Sequence, residues 1–192
     1  MTYLILGLVI FLGVHSVRIV ANDWRTQRLQ QMGEAAYKGL YSVASVIGFG
    51  LIVWGFGLAR EAPVVVWSPP IPLRHASSLL TLVAFVLLAA AYVPGNMFKA
   101  RLHHPMVLSV KTWALAHLLS NGYLAHLVLF GAFLVWAVLD FIAARRRDRA
   151  LGTVYGPSGA GRTGITVALG FAAWAGFAFL GHGLLIGIRP FG

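Results

Sequence analysis

His15 and His117 stand inside stretches otherwise apolar enough to cross a bilayer. An imidazole in hydrocarbon must be hydrogen-bonded, ligated to a metal or turned toward a wet cavity, because an unsatisfied polar group is costly there. In Gly13-Val-His15-Ser-Val-Arg18 the two polar residues are three apart, so on a helix they share a face. Two readings fit that pair. One is a haem ligand followed by a cation for a propionate. The other is a histidine bonded to a nearby backbone carbonyl while Arg18 snorkels to lipid phosphate.

A second constellation runs from His103 to Asn121. Pro105 suits a first helical turn, with His104 at the N-cap position. Lys111 lies two turns on from His104 and shares its face, while Trp113, His117 and Asn121 form a separate stripe at intervals of four. A helix carrying two such polar faces builds either a ligand or substrate site or a structural polar network. Among the other histidines, His182 is flanked by Gly181 and Gly183, which permit close approach, and is the reserve candidate for a metal ligand. His126 and His75 open apolar runs near a membrane surface and read as interfacial. A zinc site lacks its usual spacing, since no H-E-x-x-H occurs.

Six apolar runs supply the elements that would position these residues: 3–21, 40–59, 76–94, 105–121, 124–142 and 164–188. They are continuous, without period-two alternation, which predicts helices rather than barrel strands. The first run lacks a basic n-region and a convincing cleavage site, and so reads as a retained span. The connection Asn121–Tyr123 is short enough for a helical hairpin, and the Pro-rich link 63–72 reads as interfacial with Trp67 as its anchor. The expectation is one all-α domain over residues 1–192, a polytopic bundle of about six transmembrane helices with a mobile basic loop at 143–163.

Composition agrees. Of 192 residues 59% are hydrophobic and 10% charged, where soluble domains run to about one quarter charged, and the mean hydropathy is +0.80. Lipid is therefore the expected solvent and main partner. The net charge of +10 is spread over cations that flank the apolar runs, which argues for membrane topology and against a nucleic-acid partner. Arg18, Arg25, Arg28, Lys38, Lys99, Arg101, Arg145, Arg146, Arg147, Arg149 and Arg162 fall on one side, against Arg60, Arg74 and Arg189 on the other, with Lys111 within a span. The positive-inside rule then places the basic loops in the cytoplasm and both termini on the outer side of the membrane. No run carries a carboxylate near its middle, which disfavours a carboxylate-relay transporter. No phosphate-binding glycine motif supports nucleotide chemistry. With no cysteine there is no disulfide, thiolate ligand or cysteine nucleophile.

The stretches Leu12-Gly-Val-His-Ser-Val-Arg18, Lys38-Gly-Leu-Tyr-Ser42, Tyr92-Val-Pro-Gly-Asn96, His103-His-Pro-Met106 and Trp113-Ala-Leu-Ala-His117 together resemble the NnrU family of bacterial inner-membrane proteins, over nearly the full length. The resemblance implies an association with denitrification and the making of nitric oxide reductase activity. The family includes the 15-cis-zeta-carotene isomerase, whose haem b is held by two histidines. Its first ligand lies in an Ala-His-Ser-like motif matching His15. Its second lies thirteen residues beyond a His-Pro, as His117 lies beyond His104 (117 − 104 = 13). That isomerase carries a cysteine three residues before the second histidine, where this chain has Ala114, so a thiolate–imidazole exchange has no counterpart here.

The resemblance thus implies a haem b-binding membrane protein with His15 and His117 on the iron and His182 in reserve. Arg18 and Lys111 would meet propionates or a substrate anion, with His104 a hydrogen-bond donor behind them. An enzyme of this kind would act on nitric oxide, a small gas, or on an apolar polyene by redox or isomerase chemistry. The alternative is a non-catalytic accessory subunit that assists assembly or haem delivery for a respiratory nitric oxide reductase. The residues leave open which of the two it is.

Overall fold

The computed structural model describes residues Met1–Phe191. Nine α-helices occur among them: α1 (Thr2–Val20), α2 (Asn22–Met32), α3 (Glu34–Glu61), α4 (Ile71–Tyr92), α5 (Met97–Leu102), α6 (Pro105–Ser120), α7 (Leu124–Leu151), α8 (Ala160–Gly176) and α9 (His182–Ile186). A π-helical turn, Phe177–Gly181, joins the last two. The described residues form no strand, only one isolated antiparallel bridge between Val65 and Tyr123. The protein is an all-α, polytopic membrane protein. Among the described residues five helical stretches are long and apolar enough to cross a bilayer: α1, α3, α4, α7 and the continuous run Ala160–Ile186. The run expected at 105–121 folds as α6, with 16 residues. At 1.5 Å per residue it is about 24 Å long, shorter than a hydrocarbon core of about 30 Å.

Two compact units share the chain: Met1–Pro69 with Asn121–Ala144, and Pro70–Ser120 with the stretch from Arg145 on. In the first, α1 packs along α3 through glycine. A Cβ on Gly7 would lie 2.6 Å from the Ile52 amide nitrogen, one on Gly48 would lie 2.8 Å from that of Phe11, and one on Gly55 would press into the backbone of Leu4. Gly48 and Gly55 are seven residues apart and so share the face of α3 that buries Leu4 and Leu8. Lipid is as apolar as leucine, so close backbone approach has to supply the packing energy. The remaining faces carry exposed Val9, Val43, Val46, Phe49 and Val53, the surface that lipid covers.

The Pro-rich link is held by backbone pairing. Val66 N–H and Trp67 N–H donate to Gly122 O (2.8 and 3.2 Å), and Leu124 N–H donates to Val64 O (2.9 Å). Gly122 is pressed against the Trp67 carbonyl, so no side chain fits there. Between α1 and α3, residues 22–32 form the polar helix α2, which buries nothing. It reads as a loop by apolar period but is built of helix-forming Arg, Gln and Leu, and Gly33 ends it at φ +80°.

In the second unit α4 packs against α6 and α8. Ser77 Oγ donates to Ala116 O (2.7 Å) and Ser109 Oγ to Ala84 O (2.7 Å), cross-helix bonds worth about 0.6–2 kcal/mol each in a membrane. Trp174 Nε1–H donates to Thr81 Oγ1 (3.1 Å). Asn96, fully buried, caps α5 by accepting from Lys99 N–H (2.8 Å) and donates from Nδ2 to Ala90 O (2.9 Å). The basic stretch differs from the expected loop. Helix α7 runs on through Arg145–Arg149 to Leu151, and the following segment is tied down, Gly159 N–H donating to Gly95 O (3.0 Å) and Thr163 Oγ1 accepting from Met97 N–H (3.0 Å). Arginine is a good helix former, and Arg145 pairs with Asp148 three residues on (3.6 Å).

Candidate functional site

His15 lies on α1, half-buried, in a pocket of rings from the first unit. Phe11 stacks on it (centroids 4.2 Å apart), Tyr41 of α3 leans at 5.1 Å, and Trp136 of α7 meets it edge-on at 6.1 Å. Its Nδ1 is 2.6 Å from the Phe11 carbonyl oxygen, one helical turn back. A carbonyl only accepts, so Nδ1 carries the proton and Nε2 carries the lone pair. Next to this ring the Trp136 indole N–H is buried with no hydrogen-bond partner among the described residues.

His117 repeats the arrangement on α6 in the second unit. Its Nδ1–H donates to Trp113 O (2.8 Å), the Trp113 ring lies 5.1 Å away, and the tautomer again puts the lone pair on Nε2. His182, directly after the π-helical turn, donates from Nδ1 to Ile188 O (2.7 Å) with Phe177 edge-on at 5.8 Å. All three candidate iron ligands are thus fixed in the state a metal-binding imidazole needs, the distal nitrogen oriented by a carbonyl on the other. Arg18 is exposed in the last turn of α1, one turn beyond His15, and Lys111 is half-buried on α6.

His104 is engaged elsewhere. Its Nε2–H donates to Asp148 Oδ2 (2.8 Å), which also accepts from the Tyr155 hydroxyl (2.9 Å) and faces Arg145 (3.6 Å) and His103 (4.0 Å). Burial, then the bond to Asp148, pushes the Tyr155 hydroxyl up to about 12. Burial first, and the Arg145 guanidinium second, hold His103 below the ordinary histidine range. Asp148→Ala would leave His104, Tyr155 and Arg145 without their acceptor, a loss on the order of 2 kcal/mol. We expect faster amide exchange across 152–158 in that variant, and unchanged exchange would show that the carboxylate does not hold the segment.

Sequence reasoning passed over Trp136, Tyr41, Asp148 and Tyr155. His126, read as interfacial, is 91% buried (9% exposed) among Phe56, Tyr123 and Phe130, and its Nδ1 has no partner among the described residues. Its sequence signals are the aromatics three residues before and four residues after it, Tyr123 and Phe130. No group of three or more His, Cys, Asp or Glu is arranged to hold a metal ion among the described residues. A haem needs only two imidazoles from the protein.

The family model described as NnrU protein matches residues 3–190. The chain belongs to the NnrU family. No curated protein and no solved structure matches it. The match takes in every histidine described above, from His15 to His182, so the family assignment covers the candidate site and is not confined to one helix.

Proposed function

We propose that this NnrU protein is an integral-membrane haem b protein whose iron would be held by His15 and His117. The observation that carries the reading is the shared Nδ1–H···O=C lock, which leaves each Nε2 with the lone pair a metal takes. The buried Trp136 indole N–H beside His15, without a hydrogen-bond partner among the described residues, adds a donor suited to an acceptor on a bound group, and the aromatic rings around His15 suit a flat apolar macrocycle. Arg18 and Lys111 are the cations assigned to propionates. When bound, haem would supply a redox-active iron able to interact with a small gas. The chain's residues orient both imidazoles and pack aromatic rings against His15.

The family association directs this reading to nitric oxide metabolism in denitrification. Polyene isomerisation by a thiolate exchange is disfavoured, because Ala114, fully buried, stands where that chemistry uses cysteine. The same fact favours, as the second reading, an accessory subunit that assists assembly or haem delivery for a nitric oxide reductase. The first test is the optical spectrum of the purified protein, oxidised and dithionite-reduced. A Soret band with sharp reduced α and β bands supports the haem assignment, and no haem after expression with added precursor removes it. Nitric oxide turnover by the isolated protein would favour an enzyme. Co-purification with reductase subunits without turnover would favour the accessory role. Trp136→Phe keeps the ring and deletes the donor, and should weaken haem retention about tenfold, the lower end for loss of an outer hydrogen bond. Equal retention would mean that the indole N–H plays no part.

A further inference from the structure

In the second unit, the end of α4, helix α5 and the start of α6 enclose an open cleft of about 230 Å³. Its lining combines apolar Ala91, Met106 and Val107 with the polar side chains of Lys99, His103 and His104. The Lys99 ammonium has three protons. Its one hydrogen bond among the described residues is to Ala91 O (3.2 Å), and no carboxylate among them lies within ion-pair distance. His103 holds φ +74°, the single non-glycine residue with positive φ among the described residues. Such strain persists where the surroundings or a function require it. Its Nδ1 is buried and has no hydrogen-bond partner among the described residues. The nearest acid, Asp148, is already occupied by His104, Tyr155 and Arg145.

The surrounding charge is one-sided. Lys99, Arg101, Arg145, Arg146, Arg147, Arg149 and Arg162 belong to this unit, against Asp148 alone among its described carboxylates, and Arg145 faces the same carboxylate that His104 of the cleft bonds. The cleft also sits where apolar α4, long enough to cross a bilayer, ends and α6 begins, and the ends of spanning helices are where a chain meets lipid headgroups. Basic pockets between membrane helices bind lipid phosphate.

We propose that this cleft binds an anionic phospholipid, its phosphate on Lys99 beside His103 and its acyl chains along Ala91, Met106 and Val107. The test uses the full chain, purified in mild detergent and reconstituted in mixed phosphatidylcholine and phosphatidylglycerol bilayers, with retained lipid read by native mass spectrometry. The wild type is expected to retain phosphatidylglycerol in preference to phosphatidylcholine. Lys99→Gln, checked for folding by circular dichroism, should lose about tenfold of that retention, the scale of one charge-assisted hydrogen bond. Lys99→Arg should restore most of it. Arg101→Gln, at an exposed cation that does not line the cleft, should leave it intact. Retention equal in Lys99→Gln and wild type, or lost equally in Arg101→Gln, overturns the site. Displacement of the lipid by inorganic phosphate at low concentration would assign the cleft to free phosphate and also overturn it. If Lys99→Gln does not fold, the wild-type preference decides, and no preference for the anionic lipid refutes the proposal.

Discussion

His15→Ala and His117→Ala should each strip the purified protein of most of its haem, by well over tenfold, while His182→Ala should leave haem content and band positions as in the wild type. The magnitude follows from what each imidazole supplies. Loss of an outer hydrogen bond to a ligand costs about 10–100-fold in metal affinity, and loss of the ligating nitrogen itself costs more. The two variants are matched locally, because each histidine spends Nδ1 on the carbonyl one turn back (Phe11 O at 2.6 Å, Trp113 O at 2.8 Å). Alanine removes that bond together with the ligand, but the helix carbonyl still accepts from its own ladder amide, so the backbone survives the change. Added imidazole should therefore restore the oxidised spectrum of either alanine variant by filling the vacated position. His182 has the same tautomer but lies after the π-helical turn near the C-terminus, and its replacement is the control for a general effect of losing a histidine. Variants at 15 and 117 that fold normally and carry full haem with unshifted bands would sink the ligand assignment. A loss confined to His182→Ala and one of the other two would move the second ligand to His182.

The long helices were legible because each is a continuous apolar run, and the expected limits of 3–21 and 76–94 lie within a few residues of α1 and close to α4. Apolar runs say nothing about helices that bury nothing, so the polar α2 was invisible by that signal and readable only from helix propensity. The same limit hid the end of α7. The eye stops at Ile142 where hydropathy falls, but nothing between Ala143 and Leu151 breaks a helix, and the backbone continues. At the site, residue type found the histidines, and helix geometry could have supplied their partners, since a histidine with its carbonyl one turn back needs no distant residue. What spacing cannot give is the pairing of His104 with Asp148, 44 positions apart, or the burial of His126 by Phe56, which comes from another helix. Those contacts are tertiary, and one chain alone carries no trace of them.

Gly55→Leu should part α1 from α3 and undo the packing of the first unit. The Cβ it introduces would press into the backbone of Leu4, a residue with no exposed surface. Backbone cannot move aside as the end of a side chain can, so α1 and α3 must separate along the whole seam that Gly7 and Gly48 also keep tight. Separation breaks the tilted ring pair of Tyr3 and Trp54 (4.5 Å) and moves Tyr41 of α3 off His15 of α1 (5.1 Å). Overpacking a well-fitted core costs roughly 1–3 kcal/mol and sometimes more. Here the cost falls on an association that has no hydrophobic drive to fall back on, because lipid solvates the parted faces as well as they solvate each other. We expect a loss of more than about 3 kcal/mol, seen as a lowered melting temperature and poor recovery of folded protein in detergent. Gly57→Leu is the matched control. Gly57 is exposed on the same helix, and a Cβ there would meet nothing within 4 Å, so leucine should be neutral or slightly stabilising through its better helix propensity. Equal melting temperatures for the two variants would mean that the glycine seam is not what holds α1 to α3. A Gly55→Leu protein that stays folded but loses haem would instead show that the seam's task is to bring Tyr41 against His15.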